Sequence, residues 1–148
     1  MSEVPEGVNL PVFARKTPRP TVTLTLTRDG VDGVEVLLGR RSETMRAFPG
    51  YWAFPGGGVS RSDIEVTRFI SNHSGAQDSA IVAVVREMSE ELGVVPSGNA
   101  LQPVNQSLRE NILADKKAFL TAISSEEIVT DTSCLRHISS RTTPPFGP

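Results

Sequence analysis

The sequence predicts an α+β domain. Residues 21–27 alternate strictly between threonine and an aliphatic side chain, which is typical of a strand with one buried face. A turn over residues 29–33 and a returning strand over 34–38 complete a predicted hairpin. Residues 80–92 then carry aliphatic side chains at the spacing of an amphipathic helix. A hairpin followed by such a helix indicates a sheet with a helix packed against it.

Composition and charge exclude several classes of protein. The chain of 148 residues is long enough for one core, and its net charge of −2 provides no field for gripping nucleic acid. The single cysteine, Cys134, excludes an internal disulfide and a cysteine-rich zinc site. There is no secretory signal and no apolar run of membrane-spanning length. We therefore expect a cytoplasmic protein that binds neither nucleic acid nor a membrane.

Segments on either side of the amphipathic helix lack its clear periodicity. Residues 1–20 contain four prolines, so we expect an irregular arm ahead of a domain over residues 21–148. Residues 60–77 are polar with few apolar anchors, which predicts an inserted surface loop with at most one helical turn. Residues 97–137 predict a helical insert, with one or two helices followed by another that begins at Ser124.

The end of the amphipathic helix carries three glutamates close together. At about 100° per residue, Glu87, Glu90 and Glu91 share an arc of about 100° beside the core-facing stripe. Asp78 is the expected N-cap and Gly93 the residue just after the last turn. One interpretation is a solvated acidic face; the other is a site for a hard cation such as Mg²⁺ or Mn²⁺. Local spacing leaves both open. The predicted core stripe is Ile81, Val84, Val85, Met88 and Leu92.

Two motifs carry a resemblance to a known family. Arg86 to Val94 read R-E-M-S-E-E-L-G-V, which matches R-E-U-x-E-E-x-G-U, where U is a bulky aliphatic residue. Upstream lies a Pro-Gly-Gly element with Gly57. Together they resemble the Nudix hydrolase family, whose box reads G-x5-E-x7-R-E-U-x-E-E-x-G-U. Counting back from Arg86 reaches Asp78 in place of the family's glutamate, so about fifteen extra residues are expected between Gly57 and this acid.

The resemblance implies both a fold and a reaction. The fold would be a Nudix-type α/β/α sandwich with a mixed sheet, and the reaction Mg²⁺- or Mn²⁺-dependent hydrolysis of a nucleoside diphosphate linked to another group. Glu87, Glu90 and Glu91 would hold the metal, and Gly57 would offer its carbonyl. Glu87 would also be the general base, with Arg86 orienting the carboxylates. The implied catalytic set is Glu87, Arg86 and Glu91.

A second resemblance concerns the substrate. Residues 37–57 resemble the pattern of the coenzyme A pyrophosphatase branch, L-L-T-x-R-S-x3-R-x3-G-x-V-x-F-P-G-G, with departures at Gly39 and Trp52. This favours coenzyme A or its esters, with ADP-ribose among the alternatives. Arg41 and Arg46 are then expected to bind substrate phosphates, because a guanidinium matches phosphate oxygens in a fork. The matching positions are Leu37, Leu38, Arg41, Ser42, Arg46, Gly50, Phe54, Pro55, Gly56 and Gly57.

Two alternatives stay open at this stage. The same branch leads us to expect further strands and a closing helix after the helical insert, so the fold would be incomplete at its C-terminus. Either the chain is a fragment, or a second protomer completes the fold in a homodimer. The other alternative is functional: a Nudix module that binds a nucleotide without hydrolysing it. The interrupted box and Asp78 favour that module, whereas the intact run from Arg86 to Val94 opposes it.

Overall fold

The computed structural model describes residues 19–45, 48–70 and 78–142. Strands and helices both occur there, which confirms the α+β class. In chain order the first half comprises β1 (Thr21–Thr23), β2 (Thr27–Gly30), β3 (Gly33–Val36), β4 (Gly39–Arg40), β5 (Trp52–Ala53), β6 (Gly56–Gly58) and α1 (Arg61–Val66) with a 3₁₀ turn (Thr67–Phe69). The second half comprises α2 (Asp78–Glu87) continued by a π-helical turn (Met88–Leu92), then β7 (Val94–Ser97), β8 (Ala100–Pro103), α3 (Gln106–Ala114) and α4 (Lys117–Ser124).

The strands pair two by two in antiparallel fashion: β1 with β6, β2 with β3, β4 with β5, and β7 with β8. The single strand predicted over residues 21–27 is divided, because the chain changes partners within it. The Leu24 N–H donates to the Pro55 carbonyl at 2.8 Å, whereas the Leu26 carbonyl accepts from Leu37 at 2.9 Å. The pairing of β1 with β6 places the glycine-rich strand beside α2.

The core lies between the helices. The buried apolar side chains come from α1, α2, α3 and α4 and from the segments that join or follow them, and include Val66, Ile70, Val82, Val85, Val95, Leu108, Ile112, Phe119, Ala122, Ile123 and Ile128. Helix α2 is turned relative to the predicted stripe: Val82 and Ala83 are buried, whereas Ile81 and Val84 are half-buried and line an open groove beside β1 and β2. The cause is that α1 packs against one side of α2, which periodicity alone does not reveal.

The predicted loop over residues 60–77 starts with a helix that is longer than the single helical turn expected from the sequence. The Ser60 hydroxyl accepts a hydrogen bond from the Asp63 N–H at 3.2 Å, and the Asp63 carboxylate accepts from the Ser60 N–H at 2.7 Å. This capping box starts α1, whose Asp63 and Val66 are buried. Residues 71–77 lie outside the described part of the chain.

The predicted helical insert also begins differently. The β7–β8 hairpin occupies residues 94–103, with Gly98 in its turn at φ +60°. Two helices follow as predicted, and Asn105 caps α3 by accepting from the Ser107 N–H at 2.9 Å. Ser124 ends α4 instead of starting another helix, so that prediction was wrong.

Parts of both ends of the chain lie outside the described residues. The arm over residues 1–20 is described only at its last two residues, and the end of the chain only to residue 142. Within the described ranges, each helix is too short or too polar to cross a membrane.

Candidate active site at the end of helix α2

Helix α2 widens into a π-helical turn where it carries two of the three glutamates. The turn ends at Gly93, which has φ +69° and donates its N–H to the Met88 carbonyl. Arg109 of α3 donates to the carbonyls of Glu90 and Glu91 at 2.8 and 3.0 Å. Gly93 is therefore the left-handed terminating residue that the sequence predicts, and α3 holds the turn in place. Single π turns inside helices occur frequently at functional sites.

Arg86 lies fully buried at the centre of the acidic cluster. Its Nε and Nη2 donate to the two oxygens of Asp63 at 2.8 and 3.2 Å, and Nη2 also donates to the Gly58 carbonyl at 2.9 Å. Its Nη1 donates to Oε1 of Glu87 and Oε1 of Glu90, each at 2.8 Å. All five N–H groups of the guanidinium thus have acceptors. The arginine therefore links α1, β6 and α2. A single nitrogen atom, Nη1, orients the carboxylates of both Glu87 and Glu90.

The pKa values of these groups reflect the competition between burial and pairing. Burial lowers the pKa of the Arg86 guanidinium, but hydrogen bonds with Asp63 and Glu90 outweigh burial and raise it above its ordinary value. Burial raises the pKa of Glu90 more than its bond with Arg86 lowers it. Loss of water around Glu91, together with the charges of Glu87 and Glu90, raises its pKa despite a hydrogen bond from the Gly56 N–H. The charged forms of Glu90 and Glu91 are therefore disfavoured in the folded protein. A cation bound beside them would stabilise these charges.

Asp63 is a site residue that the sequence analysis missed. Box spacing counted back from Arg86 predicts Asp78 as the acid of the box, but Asp78 stands in the first turn of α2, whereas Asp63 binds Arg86 with both oxygens. Counting forward from Gly57 places Asp63 at the G-x5-acid spacing, so this signal was present in the sequence. The extra residues of the box lie between Asp63 and Arg86, not before the acid. The acid needed to orient Arg86 is present.

Gly57 lies against the carboxylate of Glu87. A Cβ at position 57 would stand 2.2 Å from Oε1 of Glu87, and one at Gly56 would stand 2.2 Å from the Val22 carbonyl oxygen. Gly56 also has φ +151°, a backbone conformation that side chains disfavour. The two glycines therefore permit β6 to run between β1 and the end of α2.

We predict that Gly57→Ala displaces the Glu87 carboxylate and weakens its bond with Arg86. The expected cost is about 1–3 kcal/mol in the free energy of unfolding, because a buried hydrogen bond to a charged group is broken. Gly58→Ala is the matched control, since a Cβ there meets no described atom within 4 Å. Urea denaturation of the two variants measures the difference. Equal losses of stability would show that Glu87 is not confined by Gly57.

Of the two predicted phosphate-binding arginines, one can be placed. Arg41 is half-buried and fixed through its backbone, which donates to the Tyr51 carbonyl at 2.9 Å and accepts from Gly50 at 3.2 Å. Loss of water raises the pKa of Glu91, and the positive charge of Arg41 is close enough to oppose that rise. Arg46 lies outside the described residues.

Two further cations near the glutamates come from the helices after the box. Arg109 holds the backbone of the π turn, as described above. The Lys116 ammonium lies 4.0 Å from Oε1 of Glu87, and its side chain is half-exposed. Both residues reach the site only because the chain folds back after the box, with α3 packed against the π turn. No motif or periodicity in the sequence indicates either of them.

The carboxylate oxygens of the three glutamates are ligands of the type that hard cations such as Mg²⁺ prefer. Glu87 and Glu90 each accept from Arg86 with one oxygen, and Glu91 accepts from Gly56 with one oxygen at 3.0 Å. Across the described ranges, the side chains do not by themselves form a group of three acidic, histidine or cysteine residues that could hold a metal ion. Mg²⁺ commonly takes one or two carboxylates together with water and substrate phosphates. The residues therefore fit an ion that is bound jointly with a phosphate ligand.

Comparison with known proteins identifies the class. The model of the NUDIX domain family matches residues 17–118, so this chain belongs to that family. Among solved structures, the chain is similar to the crystal structure of a NUDIX hydrolase from Alicyclobacillus acidocaldarius, with a TM-score of 0.75 and 29% sequence identity. The match covers 91% of this chain and 66% of that one, so the chain spans slightly less than two thirds of its structural relative. Among curated proteins no match is found.

Proposed function

We propose that this domain is the catalytic part of a divalent-metal-dependent pyrophosphohydrolase that cleaves a nucleoside diphosphate linked to another group. The observation that carries the proposal is the arrangement around Arg86. One buried guanidinium orients Glu87 and Glu90, and the neighbouring Glu91 is held by the Gly56 N–H. Each glutamate thus accepts a hydrogen bond from the protein with one of its oxygens.

The proposed roles follow from these contacts. Glu87, Glu90 and Glu91 would hold Mg²⁺ or Mn²⁺, with the Gly57 carbonyl as a further oxygen donor. When bound, such an ion supplies Lewis acidity toward phosphate oxygens and water. Glu87 is the candidate general base, since Arg86 fixes its carboxylate and it lies beside Gly57 of strand β6. Arg86 does not reach substrate in this scheme, because its five donors are occupied; it positions the carboxylates.

Coenzyme A and its esters are the proposed substrates. The support is the pattern over residues 37–57 that resembles the coenzyme A pyrophosphatase branch. It includes Arg41, whose backbone is anchored to the segment ahead of β5 and whose charge reaches Glu91. A cation at that position suits the phosphates of any diphosphate substrate. The charge of Arg41 therefore supports diphosphate hydrolysis, whereas only the pattern over residues 37–57 favours coenzyme A.

A single assay tests reaction and substrate together. The purified chain is incubated with coenzyme A and, separately, with ADP-ribose, in Mg²⁺, in Mn²⁺ or in EDTA, and the products are separated by ion-exchange chromatography. Release of phosphopantetheine that depends on the metal is the expected result. Cleavage of ADP-ribose alone would keep the hydrolase and discard coenzyme A. Metal and nucleotide binding without cleavage of either compound would favour the non-catalytic module.

We predict that Arg41→Ala raises KM by about tenfold and leaves kcat nearly unchanged, because it removes a phosphate contact made equally in the ground and transition states. Arg28→Ala is the control, since Arg28 is an exposed arginine paired with Glu35 in the β2–β3 hairpin. Steady-state kinetics at saturating Mg²⁺ separate the two constants. An unchanged KM in Arg41→Ala would mean that Arg41 does not contribute to substrate binding.

A further inference from the structure

Lys116 brings a positive charge to the glutamates from outside the Nudix box. Its ammonium lies 4.0 Å from Oε1 of Glu87, the same oxygen that accepts from Arg86. The Lys116 side chain is 50% exposed, whereas that of Glu87 is 9% exposed. The ammonium therefore faces a buried carboxylate on one side and solvent on the other. A ligand bound over the glutamates would come within its reach.

The backbone at Lys116 is fixed in place. Asp115 accepts a hydrogen bond from the Lys117 N–H with its side chain at 2.9 Å, and from the Ala118 N–H with its carbonyl at 2.8 Å. The helices on both sides are anchored in the core, α3 by Ile112 and α4 by Phe119. Rigid elements present a functional group more accurately than a free loop does. The fold thus holds the stem of this lysine at a defined distance from the site.

Helix stability does not explain the lysine. Lys116 occupies the N-cap position of α4 and makes no side-chain hydrogen bond to the helix. The N-terminus of a helix carries partial positive charge, which disfavours a cation there. Ser, Thr, Asp and Asn are the residues that stabilise this position. The position instead has an electrostatic partner across the site, the carboxylate of Glu87.

We propose that Lys116 is a substrate-binding residue whose ammonium contacts a phosphate oxygen of the diphosphate held over Glu87. The proposal rests on the function proposed above and adds a residue to it. An ammonium attracts phosphate and repels a divalent cation, so one side chain has effects of opposite sign on the two ligands. It strengthens nucleotide binding, and it weakens binding of the metal alone.

The experiment measures the two affinities separately. Binding of Mn²⁺ alone is followed by electron paramagnetic resonance, and binding of α,β-methylene-ADP at saturating Mg²⁺ by calorimetry, at one ionic strength. For Lys116→Met we expect nucleotide binding about fivefold weaker and Mn²⁺ binding about fivefold tighter, as for loss of one charge interaction in water. Lys116→Arg keeps the charge and should stay within about twofold of the wild type in both.

Lys117→Met is the matched control. It removes the same charge one residue further along, and Lys117 likewise stands at the start of α4. We expect both affinities within about twofold of the wild type. The proposal is overturned if Lys116→Met changes neither affinity, or moves both in the same direction as a structural defect would. A wild-type chain that binds both ligands but cleaves no diphosphate would remove the hydrolase function and leave this assignment intact.

Discussion

Asp63→Asn is expected to lower the free energy of unfolding by about 3 kcal/mol or more, because it breaks a buried ion pair and leaves part of the charge of Arg86 uncompensated. Both partners are fully buried, with side-chain exposures of 0%. The amide would also turn donor hydrogens toward Arg86 or toward the Ser60 N–H, which now donates to Asp63 at 2.7 Å. Urea denaturation followed by far-ultraviolet circular dichroism measures the loss.

Asp78→Asn is the control for this prediction. Asp78 is the acid that box spacing counted backwards from Arg86 had selected, and it lies in the first turn of α2. An acid in a first helical turn contributes about 0.3–1 kcal/mol through the helix dipole, so we expect a smaller loss than from Asp63→Asn. A larger loss from Asp78→Asn than from Asp63→Asn would mean that the box acid was assigned wrongly here.

Glu91→Gln is expected to lower metal-dependent turnover by about 100-fold or more while the protein becomes no less stable. Loss of a metal ligand exceeds the roughly 10- to 100-fold effect of removing a residue that only supports one. The glutamine can still accept from the Gly56 N–H. The pKa of Glu91 is raised by loss of water and by Glu87 and Glu90, so its charge destabilises the fold at neutral pH and its removal relieves that cost.

A large loss of turnover without a loss of stability makes the prediction specific. Turnover is measured at saturating Mg²⁺, and stability by urea denaturation of the metal-free protein. Glu65→Gln serves as the control, since Glu65 is an exposed residue of α1, and it should change neither quantity appreciably. Turnover of Glu91→Gln near that of the wild type would remove Glu91 from the metal site. A large loss of stability would assign the residue a structural role.

The sequence by itself determined those features that depend on residues close together in the chain. The spacing of Arg86, Glu87 and Glu90 places them on neighbouring faces of one helix, and Arg86 does bind both glutamates. Gly93 ends the turn because glycine adopts positive φ without steric cost. The alternation over residues 21–27 predicts which side chains face inward, and Leu24 is buried. Each of these inferences needs only the geometry of a helix or a strand.

Only the tertiary structure decided which distant residues complete the site. Asp63 reaches Arg86 across 23 positions of the chain, and Arg109 reaches the Glu90 carbonyl across 19. Lys116 comes from a third element, the junction of α3 and α4. Such contacts depend on the path of the connecting segments and on which helix face the core selects. Periodicity fixes neither, because it repeats within one element and carries no information about the neighbour against which that element packs.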